Sequence, residues 1–196
     1  AQMGLPVDKL IVATNRNDIL HRFFQTGYYR KDKVFATQSP SMDIQVASNF
    51  ERLLFDLAGR DSAVVRENMA KLTKQGGFEV PSAAMSQARV LFLSHCVDEE
   101  ATTRTIGEVY RTTGIIIDPH TAVGLRAAQE LMPNGPVIAL ATAHPAKFPD
   151  AVEKACGVRP TLPDQMADLY EREERFATLP NNQAALQDYI RGMRRA

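Results

Sequence analysis

Three short apolar runs in this chain each end directly in a polar cluster. They cover residues 10–13, 115–117 and 137–141. Continuous Ile, Val, Leu and Ala runs of this length, followed by helical patterns, predict buried parallel strands. Because ligands of open α/β sheets bind beyond the carboxyl ends of the strands, we expect the three polar clusters to form one site.

Composition limits the classes of function. Of the 196 residues, 44% are hydrophobic and 23% are charged, as in an ordinary soluble globular protein. The 23 basic residues balance the 23 acidic ones, so we expect neither a nucleic acid nor an anionic membrane as a partner. No apolar stretch approaches the ~20 residues of a membrane span. Cys96 and Cys156 lie outside any CxxC motif, which favours reduced thiols in the cytoplasm over a disulfide or a metal site.

The spacing of apolar residues, with capping residues and helix-ending glycines, predicts the organisation of the chain. The predicted parts are an α/β core segment over 1–42, a helical insertion subdomain over 43–114, a second α/β core segment over 115–157 and a C-terminal helical segment over 158–196. The first predicted strand covers residues 9–13. The predicted helices cover 17–25, 43–59, 61–74, 81–93, 98–114, 120–132 and 164–173, with others from 149 and from 181 or 182. Small residues over 120–132, Gly124 among them, predict close approach of that helix to a neighbour.

The first polar cluster and the segment at 39–44 each allow two interpretations. Asn15, Asn17 and Asp18 can form an Asx turn with a helix cap, or they can contact a ligand at the strand end. Residues 39–44 can cap a helix that begins at Asp43. Exposed backbone amides beside serine hydroxyls can also hold a phosphate.

The other two clusters combine histidines with a threonine and a lysine. His120 follows Asp118 closely, but no third ligand stands at a suitable spacing, so we predict no metal site. Thr142 follows an apolar run, and its hydroxyl, a neutral donor and acceptor, suits a ring nitrogen that stays unprotonated. His144 and Lys147 lie on the turn before the next helix, where Lys147 can pair with an anion or simply face water.

Four sequence blocks together resemble the threonine synthase family, in the longer form found in many bacteria and in fungi. Their order and spacing match the family over nearly the whole chain. The blocks are Met-Gly-Leu-Pro at 3–6 with Leu-Ile-Val-Ala-Thr-Asn at 10–15, Ser-Pro-Ser-Met-Asp-Ile at 39–44 with Ser-Asn-Phe-Glu-Arg at 48–52, Asp-Pro-His-Thr-Ala-Val-Gly at 118–124, and Ala-Thr-Ala-His-Pro-Ala-Lys-Phe at 141–148.

The resemblance implies a pyridoxal 5′-phosphate enzyme that converts O-phosphohomoserine and water to threonine and phosphate. The expected fold class is α/β, a parallel-sheet part of the tryptophan-synthase-β-like fold (fold type II) with a helical insertion. In the family, a lysine in a Ser-Phe-Lys-Asp motif binds the cofactor and a Gly-Asn-Phe-Gly loop holds its phosphate. Neither motif occurs in this sequence. The chain therefore resembles the C-terminal part of the family, and we expect it to be inactive alone, with no catalytic residue of its own.

The resemblance also assigns expected site residues. Thr142 matches the threonine that contacts the pyridine nitrogen of the cofactor. Arg52 and Lys147 are the candidates for the substrate's phosphate or carboxylate, because such anions need cationic donors. The expected assembly is a monomer or a homodimer. The residues expected to line the active-site crevice are Asn15, Asp18, Ser41, Asn49, Arg52, His120, His144 and Lys147.

Two other functions remain open from the residues alone. The helix-rich region 43–114 can serve a non-catalytic interaction module, in which the polar clusters are only caps. Residues 39–44 can instead belong to a small phosphate-binding α/β domain. Titration with phosphate distinguishes these two alternatives, and an upstream Ser-Phe-Lys motif in the parent reading frame would support the enzyme.

Overall fold

The structure, a computed structural model, describes residues 3–131 and 135–193. It divides into two compact units, Ala1–Pro160 and Thr161–Ala196. The described part of the first unit contains β1 (Leu10–Thr14), α1 (Ile19–Thr26), β2 (Tyr28–Arg30), α2 (Phe50–Leu57), α3 (Ser62–Gln75), β3 (Gly77–Glu79), α4 (Ser82–Leu91), β4 (Phe92–Cys96), α5 (Glu99–Thr113), α6 (Pro119–Leu131) and α7 (Pro149–Cys156), with 3₁₀ turns at Pro40–Met42 and Pro145–Lys147. The second unit contains 3₁₀ turns at Asp164–Met166 and Leu169–Glu171 and the helix α8 (Gln183–Gly192). Each described helix is too short or too polar to cross a membrane.

Strands β1 and β4 form a parallel pair. Leu10 lies beside Phe92 at one end of the pair and Thr14 lies beside Cys96 at the other. The carboxyl ends of both strands therefore meet at one edge, and Asn15 follows β1 directly at that edge. The mixed α/β class with a parallel sheet is confirmed.

The two faces of β1 pack against different hydrophobic clusters, because successive strand residues point to opposite sides. Val12 contacts a large cluster centred on α1, in which the rings of Tyr29 and Phe50 stack with their centroids 4.5 Å apart. Ile11 and Ala13 contact a smaller cluster that includes residues of α6. The smaller cluster consists of Val97, Val123 and Ala127. Helices α1 and α6 thus cover opposite faces of the strand.

The helices with the clearest local signals are confirmed. The Asp61 carboxylate accepts a hydrogen bond from the amide of Ala63 at 2.7 Å, and Asp98 accepts one from Ala101 at the same distance. These side chains cap α3 and α5 by satisfying amides that have no partner inside the helix. Both helices end at a glycine in the left-handed conformation, as the sequence predicts.

Three predicted helices need correction. The helix predicted over 81–93 ends at Leu91, and the chain continues as β4. The helix predicted from Asp43 begins only at Phe50, and the one predicted over 164–173 is replaced by two short 3₁₀ turns. Because β3 and β4 lie within 43–114, that region is not purely helical, although the four-part division of the chain stays a prediction.

Two predicted strands are also wrong. Residues 115–117 and 137–141 run without helical structure and belong to no described sheet. Ile115, Ile138 and Leu140 are 60%, 82% and 75% exposed, so the predicted burial of these runs is also wrong. An extended segment becomes a strand only where a neighbour accepts its backbone hydrogen bonds. The described residues supply no such neighbour here, and the predicted helix end at Met132 lies outside them.

Candidate functional site

Asn15 is the centre of a buried hydrogen-bond network at the carboxyl edge of β1. Its side chain is fully buried, and Nδ2 lies 3.0 Å from Ser39 Oγ and 2.8 Å from Asp43 Oδ1. Its Oδ1 accepts a hydrogen bond from the backbone amide of Asn17 at 2.8 Å, which closes an Asx turn. The amide thus joins the strand end to residues 39–43.

Asp43 is the acceptor that completes this network. Its Oδ1 receives hydrogen bonds from Asn15, from Asn17 at 2.9 Å and from the Thr37 hydroxyl at 2.6 Å, and its Oδ2 receives one from the Thr37 amide. All four donors are neutral. The interpretation of residues 39–44 as a helix cap is therefore wrong, since the Asp43 carboxylate holds a loop together and the next helix begins only at Phe50.

The same loop offers few free amides to an anion. The amides of Met42, Asp43 and Ile44 donate to carbonyls within the loop, and the amide of Ser41 donates to His120. The hypothesis that exposed amides of this segment hold a phosphate therefore loses its physical basis. The Ser41 side chain is exposed, so its hydroxyl is the polar group that this turn presents.

His120 lies next to this turn, at the start of α6. The Ser41 amide donates to its Nε2 at 3.2 Å, and its Nδ1 lies 2.9 Å from Asp118 Oδ1. The Asp118 carboxylate also accepts hydrogen bonds from the His120 amide and from the Thr121 hydroxyl. His120 is 8% exposed and Asp118 is 1% exposed. The described residues contain no group of three His, Cys, Asp or Glu side chains arranged to hold a metal ion.

Phe148, which directly follows the third polar cluster, packs against the His120 ring. The two rings lie with their centroids 4.7 Å apart. His144, exposed at the start of the Pro145–Lys147 turn, accepts a hydrogen bond from the amide of Ala146 through Nδ1. Thr142 and Lys147 are also exposed. The segments near residues 15, 41, 120 and 148 therefore form one continuous series of contacts.

Asn49 and Arg52 lie outside this series of contacts. They line a cavity of about 310 Å³ together with Val12 and Phe92. Since Val12 faces the α1 side of the sheet, this cavity lies on the opposite face of β1 from α6 and His120. The structure thus separates these two expected crevice residues from the others.

Asp18 is held by an ion pair. Its carboxylate accepts a hydrogen bond from Nε of Arg22 at 2.8 Å, and both side chains are about 30% exposed.

The sequence analysis predicts no role for Arg16, which stands between the two buried asparagines with its guanidinium 4.0 Å from the Phe35 ring centroid. The sequence feature that could have identified Arg16 is its position within the first polar cluster. Thr37 gave no comparable signal, because it lies in an irregular segment and its contact with Asn15 spans 22 positions.

Burial also shifts the pKa of two side chains at β4, Cys96 within the strand and His21 packed against it. It raises the pKa of the Cys96 thiol, whose Sγ donates to the Asn15 carbonyl at 3.3 Å. Burial likewise lowers the pKa of His21, whose Nδ1 lies 3.0 Å from Ser94 Oγ. Both shifts favour the uncharged form. Cys96 thus supports the site as a weak hydrogen-bond donor and not as a thiolate.

Comparison with known sequences identifies relatives of the chain. Residues 121–190 match the family model described as threonine synthase, C-terminal. The threonine synthase of Pseudomonas aeruginosa is 53% identical over 191 residues, and that of Corynebacterium glutamicum is 41% identical over 197. Each alignment covers 96% of this chain but 41% of the relative. The chain therefore spans about two fifths of the length of these relatives.

Solved structures show the same relationship. A threonine synthase from Brucella melitensis with bound pyridoxal phosphate is 47% identical and superimposes on all of this chain, with a TM-score of 0.86. A yeast threonine synthase is 36% identical, with a TM-score of 0.81 over 97% of this chain. The superpositions cover 42% and 43% of those two proteins.

Thr142 provides the test of whether residues of this chain suit such a cofactor. Its side chain is exposed, and its hydroxyl makes no hydrogen bond to any described residue. A neutral hydroxyl in this state can contact an unprotonated pyridine nitrogen. Thr142 thus leaves one neutral hydroxyl available for such a contact, while none of the chain's lysines stands in the cofactor-binding motif.

Proposed function

This chain belongs to the threonine synthase family, and on that premise we propose that it forms one wall of the active-site crevice of a pyridoxal-phosphate enzyme. The proposed reaction converts O-phosphohomoserine and water to threonine and phosphate. The observation that supports it most is the series of contacts from Asn15 through Ser41 and His120 to Phe148. It joins the three polar clusters that the family resemblance assigns to a single crevice.

Within this proposal, the residues of the chain orient the reactants. Thr142 holds the pyridine nitrogen through its hydroxyl, and the exposed Ser41 hydroxyl and Lys147 bind the substrate's phosphate or carboxylate. The cofactor, when bound, supplies an electron-accepting ring that stabilises negative charge on the substrate carbons. We assign the anion role to Lys147 in preference to Arg52, because Arg52 lines the cavity on the α1 side.

The proposed setting is the cytoplasm, and the proposed assembly is a monomer or a homodimer. The free thiols of Cys96 and Cys156 support a reducing compartment. The net charge of zero favours a small-molecule substrate over a nucleic acid.

Turnover in the longest natural polypeptide that contains this sequence tests the proposal. Incubated with pyridoxal phosphate and O-phosphohomoserine, it is expected to release phosphate and form threonine. Thr142→Val keeps the shape of the side chain and removes the hydroxyl, so kcat is expected to fall about tenfold, the effect of one lost hydrogen bond. Thr112→Val, on the exposed surface of α5, is the matched control.

The 196-residue chain alone is expected to release no phosphate, because it lacks the family's lysine motif. Turnover by the chain alone would contradict this expectation. Binding of a phosphonate analogue without turnover in the longer polypeptide would instead support a phosphate-binding domain, and neither binding nor turnover would favour an interaction module.

A further inference from the structure

His120 contacts both sides of the proposed crevice. The backbone amide of Ser41 donates to its Nε2, and the Phe148 ring packs against its imidazole. The side chain is 6% exposed, so these contacts are shielded from water. The first belongs to the Pro40–Met42 turn and the second to the segment that follows Thr142.

The hydrogen bonds define the proton positions on the imidazole. Because the Ser41 amide is a donor, the Nε2 that accepts from it carries no proton. The ring proton of the neutral form then lies on Nδ1, which is 2.9 Å from Asp118 Oδ1. The Asp118 carboxylate is itself oriented by the His120 amide and the Thr121 hydroxyl. The ring is thus fixed at both nitrogens.

We propose that His120 is a positioning residue, a neutral imidazole that holds the Ser41 turn in register with the segment carrying Thr142. The assignment of these two segments to the active-site crevice rests on the proposed function, whereas the contact of His120 with them rests on geometry alone. Both ring nitrogens are engaged, so the imidazole is not available to take a proton from substrate. Its effect on the reaction passes through Ser41, whose hydroxyl stays at the crevice surface only while the amide is held.

Two variants separate the contacts of the ring. In His120→Gln the Oε1 atom reaches the position of Nε2 and can accept from the Ser41 amide. In His120→Asn the side-chain amide reaches only the position of Nδ1, so the contact with Asp118 is kept and the contact with Ser41 is lost. Both variants remove the imidazole ring from Phe148, which makes them matched controls for packing.

Amide hydrogen exchange of Ser41, measured by NMR on this chain, provides the first measurement. Exchange is expected to be as slow in His120→Gln as in the original chain and about tenfold faster in His120→Asn, since a lost hydrogen bond opens the amide to water. The Ala101 amide, capped by Asp98, should exchange equally in all three proteins. The imidazole nitrogen signals of the unsubstituted chain should show a proton on Nδ1 and none on Nε2.

Steady-state kinetics of the longer polypeptide provide the second measurement. KM for O-phosphohomoserine is expected to rise in His120→Asn and to be largely restored in His120→Gln, with a smaller change in kcat. Equal Ser41 exchange in the two variants, or a proton on Nε2, would overturn the role of His120. Lack of turnover in the unsubstituted polypeptide would overturn the proposed function, while the exchange comparison would still decide the contact.

Discussion

The Asp43 carboxylate shows how one residue can organise a loop. It is the common acceptor for Asn15, Asn17 and Thr37. Asp43→Ala would leave these donors without their acceptor in a largely buried site, and an unsatisfied buried polar group costs about 1–3 kcal/mol. We therefore expect the free energy of unfolding to fall by about 2–4 kcal/mol, as measured by urea denaturation followed by circular dichroism.

Two other substitutions test the cause of that loss. Asp43→Asn keeps one acceptor oxygen and should cost less than Asp43→Ala. Asp8→Ala removes an exposed carboxylate and should change the unfolding free energy by no more than about 0.5 kcal/mol. Equal effects of the two alanine substitutions would show that the network does not stabilise the fold.

His21 gives the chain a pH-dependent stability. Burial lowers its pKa from 6.5, Asp18 opposes that shift and His95 adds to it. The unfolded state therefore binds the proton more readily, and stability falls as pH drops through 6.5, the ordinary histidine pKa, toward the lower pKa of the folded state. In His21→Gln this part of the pH dependence should disappear from urea midpoints. His95→Gln, which removes only the smaller lowering cause, should keep most of it. An unchanged slope in His21→Gln would contradict this account.

The sequence predicted the position of Asn15 better than it predicted the partners of that side chain. Asn15 stands out because it ends an apolar run, and the structure does place it at a strand end. Its contacts to Thr37 and Ser39 span more than twenty positions and depend on how an irregular segment folds back. The pairing of His120 with Ser41 spans 79 positions. No local pattern encodes such distances.

At the scale of elements, helices α3 and α5 were predictable because their caps and terminal glycines act within a few residues. Strand β4 was not predictable in the same way. No turn residue separates it from α4, so its apolar residues continued the helical pattern. What makes Phe92–Cys96 a strand is its pairing with β1, more than eighty positions away. Tertiary pairing there overrides local propensity.

Contact between α5 and α7 depends on the absence of a side chain at Gly107. A Cβ atom at this position would lie 2.7 Å from the carbonyl oxygen of Ala155. Gly107→Ala should therefore push the helices apart and lower the free energy of unfolding by about 1–3 kcal/mol in urea denaturation.

Gly124 in α6 is the matched control for this substitution. Within the described structure, a Cβ atom there meets nothing within 4 Å, so Gly124 is not the residue that lets α6 approach its neighbours. Gly124→Ala should stabilise the chain by about 0.5–1 kcal/mol through the helix propensity of alanine. If both substitutions stabilise it, the α5–α7 contact is looser than the structure shows.

At the scale of the whole molecule, the apolar runs at 115–117 and 137–141 differ most from the sequence prediction. Their composition is that of buried strands, yet no partner strand lies within the described residues. Whether such a run is buried depends on neighbours that its own sequence cannot specify. Residues 10–13 have the same composition, but β4 is available to pair with them.

The exposed run at 137–141 should make the isolated chain associate with a second copy. Ile138 and Leu140 are large and mostly exposed, and burying such a side chain stabilises a complex by about 1.5–3 kcal/mol. The double variant Ile138→Lys, Leu140→Lys places charges where association would have to desolvate them. It should stay monomeric at concentrations where the unsubstituted chain dimerises, as measured by sedimentation velocity. Val64→Lys with Val90→Lys, on exposed helix surfaces, should leave association unchanged; an equal loss in both double variants would mean that general charge repulsion, and not this run, controls association.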